Sequence, residues 1–178
     1  MRGIGGFLMS GLELFTAIHV LISLIGILSG FVAIVGMVRS KPLDWWTDLF
    51  LVTTVATSVT GFLFPFGGFT PAIGVGIISM IVLTLSVLAL RVKQLQGQWR
   101  RTYVITAVVA QYFNFFVLIV QSFRRVPVLH ALAPTESEPP FAIAQLVALI
   151  AFVVLGYVAT RGFLRAAPPA AILHRSHT

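Results

Sequence analysis

The chain has 178 residues, of which 58% are hydrophobic and 10% charged, and its mean hydropathy is +1.00. Globular domains run at about a quarter charged residues, so this composition points to lipid as the solvent. Twelve Lys and Arg against five Asp and Glu give a net charge of +7, but the basic residues fall between apolar stretches, where they set topology and imply no nucleic-acid partner. The absence of cysteine excludes structural disulfides, thiolate metal centres and cysteine nucleophiles.

A transmembrane helix needs about 20 mainly apolar residues, and five stretches qualify: 7–38, 46–64, 71–92, 102–123 and 140–164. The expected fold is therefore an all-α membrane protein, a bundle of five transmembrane helices forming one domain over 1–165. The first stretch extends about 48 Å at the helical rise. It either tilts strongly, or Gly3, Gly5, Gly6 and Gly11 mark a surface segment ahead of the true span. Arg2 before an apolar run also suits a signal peptide, but the run is too long for one and lacks a small-residue cleavage site. Asp44 is placed to cap the second span, Thr70 and Pro71 to open the third, and Ser137 with Pro139 and Pro140 to open the fifth. Gly67 and Gly68 make spans two and three a tight hairpin. Residues 166–178 read as a flexible cytoplasmic tail in which His174 and His177 are no more than mobile imidazoles.

Nine basic residues (Arg39, Lys41, Arg91, Lys93, Arg100, Arg101, Arg161, Arg165 and Arg175) fall on one side of the five-span arrangement. By the positive-inside rule that side is cytoplasmic, with the N-terminus outside and the C-terminus inside. Trp45, Trp46 and Trp99 lie at the same interface. The opposite side holds Arg2, Arg124, Arg125, Glu136 and Glu138. There, Val128, Leu129, Ala131 and Leu132 suit a short helix lying on the membrane. The acidic, proline-stiffened segment after it reads as a helix entry turn or as a rigid lid.

Lipid gives helices no hydrophobic drive to associate, so small residues and interhelical hydrogen bonds must supply it. In span one His19, Ser23, Gly26, Gly30 and Ala33 share a face, and Gly26 with Gly30 forms a GxxxG packing pair. Span two carries Thr53, Thr54, Thr57, Ser58 and Thr60. In span four Ala107, Gln111, Asn114, Leu118 and Gln121 form a stripe with three carboxamides, and span five adds Gln145. Such amides must face protein or water. They serve either as bonds between helices or, with His19, Ser23, Thr57 and Thr60, as a polar pocket opening to the non-cytoplasmic side. Ionisable residues within a membrane are functional candidates; Glu13 lies close enough to the interface to reach water, which leaves His19.

No nucleophile elbow or paired carboxylate is present, so no catalytic residue is assigned. Zinc or copper needs more ligands than the spans provide, so no metal site is expected. A bis-histidine haem requires a second imidazole at matching depth; no other His lies within a span, and His130, just beyond span four on the outer side, approaches only if its loop folds inward. His19 with Asn114 and Gln121 also suits hydrogen bonding to a quinone. Transport normally shows intramembrane carboxylates or broken helices, and the Gly-rich start of span three is slight evidence for it. Three classes follow in order. The first is a non-enzymatic binding or accessory component that engages the lipid bilayer and a membrane-protein partner or second copy. The second is a haem- or quinone-binding redox protein centred on His19. The third is a small transporter or channel.

The runs FTAIHVLISLIG, TSVTGFLFPFGG, GQWRRTYVITAV, YFNFFVLIVQSF and LAPTESEPPF together resemble a group of small, uncharacterised multi-pass membrane proteins from bacteria. The likeness extends from about Phe15 to Gly162. It implies a bacterial inner membrane and assigns no reaction, so it brings no functional residue with it.

Overall fold

The computed structural model describes residues 3–41, 44–65, 68 and 71–165, and the side chains of 3–10, 71 and 72 lie outside that description. Every described element is helical. The order is α1 (Gly3–Val38), α2 (Asp44–Gly61), α3 (Pro71–Val87) running on into a π-helical turn (Leu88–Val92), α4 (Trp99–Arg125), the short α5 (Pro127–Leu132) and α6 (Pro139–Arg165). Prolines open α3, α5 and α6, where a fixed φ and a missing N–H cost a helix nothing. The expectations that fall on Arg2, Gly67, Thr70, His174, Arg175 and His177 lie outside the described residues.

α1 is one uninterrupted helix of 36 residues. It ends where Ser40 turns left-handed at φ 58°. The Ser40 N–H donates to the Met37 carbonyl at 3.2 Å and the Lys41 N–H to the Gly36 carbonyl at 2.9 Å, the paired bonds of a Schellman closure. Glycine would hold this φ without strain. Serine offsets the cost by donating its hydroxyl to the Gly162 carbonyl at 2.7 Å, which fastens α1 to α6.

Among the described residues, four helical stretches are long and apolar enough to cross a membrane: Gly11–Val38, Ile73–Val92, Trp99–Arg125 and Pro139–Arg165. They mark the chain as a helical membrane protein. The second expected span is helical but is not among these four. It folds as the 18-residue α2, with residues 62–64 in the turn that follows. Asp44, Asp48 and six hydroxyl side chains in so short a helix leave it outside that set.

α4 is the central helix, packed against α1, α3 and α6, while α1 and α2 make the most extensive pairing. The buried stripe of α4 runs Arg100, Tyr103, Val104, Ala107, Val108 and Gln111, one face of a 3.6-residue period. Ile34, Met37, Phe50, Leu83 and Phe163 close the core around it. Phe152 joins the helices through rings, lying 5.9 Å from Phe31, 5.6 Å from Phe115 and 5.7 Å from Tyr112.

Contacts at the helix ends gather the basic residues. Ser40 reaches Gly162, the Arg100 guanidinium donates to the Phe163 carbonyl at 2.8 Å, and Arg91 pairs with Asp48. The C-terminal ends of α1, the π turn and α6 thus meet the N-terminal ends of α2 and α4. Arg39, Lys41, Lys93, Arg101, Arg161 and Arg165 flank the same junctions. At the far end Arg124 pairs with Glu136, and Phe123 meets Phe141 at 5.4 Å.

Candidate functional site

The small-residue face of α1 and the hydroxyl face of α2 meet in antiparallel register. His19 Nδ1 lies 2.8 Å from Thr60 Oγ1. Lower down, a Cβ on Gly26 would lie 3.2 Å from Thr53 Oγ1, and one on Gly30 would lie 2.8 Å from the Phe50 ring. The close approach at Gly26 and Gly30 is what the GxxxG spacing predicts. α4 covers the lower part of this seam. Gln111 donates to the Ile27 carbonyl at 2.8 Å, and Asn114 donates to Thr54 Oγ1 at 3.1 Å.

Thr60 has one hydroxyl proton, and it goes to the Ala56 carbonyl at 2.7 Å. With that proton so placed its oxygen accepts from His19, and a neutral ring in this arrangement carries its proton on Nδ1 and presents Nε2 as an acceptor. The imidazole is further held edge-on by Phe64 at 5.1 Å. Ser23 spends its hydroxyl on the His19 carbonyl at 2.7 Å. Thr57, one turn below Thr60, keeps a buried hydroxyl with no hydrogen-bond partner among the described residues.

The other candidates lie apart from this seam. Gln145 donates to the Phe116 carbonyl at 3.3 Å, tying α6 to α4. Gln121 is exposed and accepts from Arg125 at 3.5 Å on its own helix. The amide stripe of α4 therefore divides: Gln111 and Asn114 bond to neighbouring helices, as Gln145 does from α6, and Gln121 faces outward. His130 is exposed on α5. Among the described residues no group of three or more His, Cys, Asp or Glu side chains is placed to hold a metal ion.

Two features escape a reading of the sequence. One is the clasp at the basic end, where Arg100 is 9% exposed although it stands beside the exposed Arg101. A helical phase through Tyr103, Val104, Ala107 and Gln111 separates the two arginines, and that phase was the available signal. The other is an apolar cleft of about 570 Å³ between α4 and α6, with Arg101 and Arg161 at its mouth. Gly156 keeps its floor open, since a Cβ there would already touch Val108 at 3.4 Å.

No protein-family model, curated protein or solved structure matches the chain.

Proposed function

We propose that the chain is a five-span protein of a bacterial inner membrane, N-terminus outside, acting as a non-enzymatic binding or accessory component. The path of α2 supports the fifth crossing. α2 climbs antiparallel along α1 from Asp48 to the level of His19, and α3 descends again to bring Arg91 back to Asp48. Eighteen residues rise about 27 Å, close to the roughly 30 Å thickness of a hydrocarbon core. Hydroxyls that bond within the helix make such a polar segment tolerable: Thr53 donates to the Leu49 carbonyl at 2.6 Å and Thr60 to that of Ala56. The gathered basic end supports a cytoplasmic assignment for that side. The bacterial setting rests on the resemblance of the sequence runs.

The observation that carries the binding reading is unused polar capacity at the end of the seam remote from the basic side. A neutral His19 bonded to Thr60 through Nδ1 presents Nε2 as an acceptor, and the Thr57 hydroxyl has no partner among the described residues. Native mass spectrometry of protein released in mild detergent tests it. A stoichiometric non-lipid ligand that is lost from His19→Ala supports the reading; protein carrying lipid alone overturns it. Reporter fusions test the topology. One placed after Thr178 should be active only in the cytoplasm and one near Glu136 only outside, and the reverse pattern overturns the orientation.

The orientation of His19 favours redox binding as a second reading. With Nδ1 fixed by Thr60, Nε2 is free to ligate haem iron or to accept a proton from a quinol hydroxyl. A Soret band or an extractable quinone, missing from His19→Ala, supports this; membranes with neither dispose of it.

A further inference from the structure

The cleft between α4 and α6 combines features that the polar seam does not use. Its walls are apolar, with Ile105 and Tyr112 contributed by α4 and Leu149 and Val153 by α6. From Arg101 to Tyr112 it runs eleven residues of helix, about 16 Å, which is close to one leaflet of a roughly 30 Å hydrocarbon core. Both guanidiniums sit at one end. Arg161 is held over the Tyr157 ring at 4.6 Å, so its position is set by the fold. Neither arginine forms an ion pair with a described residue, and among the described residues no carboxylate lines the cleft. Only 11% of the most apolar 18-residue window of α6 is buried inside the bundle, so most of this helix faces outward beside the cleft.

We propose that this cleft is a binding site for one anionic phospholipid of the leaflet at the basic end. Its acyl chain lies along the α4–α6 walls, and its headgroup phosphate is held between Arg101 and Arg161. Charge complementarity decides the occupant. A zwitterionic lipid would bring its own cation to the pair of arginines, and a soluble phosphate ester would leave the apolar walls in contact with nothing. The arginine fork favours phosphate oxygens over a point contact. This site shares no residue with the His19 seam, and failure of either leaves the other standing.

The test uses the full chain reconstituted into vesicles of equal phosphatidylglycerol and phosphatidylcholine with identical chains, then released in mild detergent for native mass spectrometry. Each arginine near an anionic surface adds about fivefold in affinity, so the pair should give about a thirtyfold preference for phosphatidylglycerol. Arg101→Gln with Arg161→Gln should abolish that preference, while Arg39→Gln, at the same end but outside the cleft, should leave it intact. Equal retention of the two lipids by the wild-type chain overturns the proposal, and that comparison stands even if the double variant does not fold. A preference that survives in a folded double variant overturns it as well.

Discussion

The carboxamide of Gln111 occupies the space that a side chain on Gly30 would need. A Cβ at position 30 would overlap the Gln111 amide and lie 2.8 Å from the Phe50 ring, while the amide nitrogen is engaged by the Ile27 carbonyl three residues earlier on α1. The glycine and the glutamine therefore form one three-helix joint. Gly30→Ala should displace both neighbours and lower stability by about 1–3 kcal/mol, the range for overpacking a filled core. Gly11→Ala meets nothing within 4 Å and should be neutral or slightly stabilising through helix propensity. Thermal unfolding of both variants in detergent makes the comparison, and equal midpoints would sink the joint.

A second close approach lies at the basic end. A Cβ on Gly162 would overlap the Val38 carbonyl oxygen and lie 2.6 Å from that of Met37. Backbone atoms cannot swing aside as a side chain can. Gly162→Ala should therefore cost more than Gly30→Ala, and should also loosen the bonds from Ser40 and Arg100 to α6. Ser40→Gly should be milder than Ser40→Ala, because glycine recovers in backbone freedom some of what the lost hydroxyl gave. If Ser40→Gly proved the worse of the two, the left-handed closure would not be what position 40 is for.

Asn114 and Thr54 offer a cleaner energy. Hydrogen bonds between helices in membranes average about 0.6 kcal/mol and reach about 1.7 kcal/mol. A double-mutant cycle with Asn114→Leu and Thr54→Val should return a coupling in that range by unfolding in mixed micelles. A coupling of zero would show that the 3.1 Å contact adds nothing to the joint.

At the far end Glu138 closes the turn before α6. Desolvation pushes its carboxyl up, but its own amide, the Thr135 hydroxyl and amide, and the Ser137 amide hydrogen-bond to it, and together they hold it below the usual glutamate range. A carboxyl lowered by folding stabilises the turn above its unfolded pKa, and that stability is lost as pH falls through the folded value. Protection of the Thr135 and Ser137 amides from exchange should persist at neutral pH and disappear only in acid. Glu138→Gln should remove the pH dependence. An identical acid profile in the variant would assign the turn to its prolines instead.

Helix positions were legible because apolar runs and proline starts are local signals. The inward face of α1 was legible too, since Gly26, Gly30 and Ala33 repeat at helical spacing and all three are buried. The partners of the amides were not. Gln111 bonds to a backbone carbonyl, and every residue has one, so no side chain in the sequence announces the contact. The α4–α6 cleft was hidden for a related reason. It is defined by the small size of Gly156 and by which of two adjacent arginines faces inward, and both depend on how two distant helices cross. The polarity of α2 was visible in its composition, in Asp44, Asp48 and six hydroxyl side chains.

That polarity bears on how the chain is made. On the five-span reading, α2 is too hydrophilic to partition from the translocon by itself and must enter as the second arm of a hairpin whose first arm is α1. α1 then acts as an escort as well as a strut. A chain in which α1 failed to insert would strand α2 in water and invert every crossing that follows.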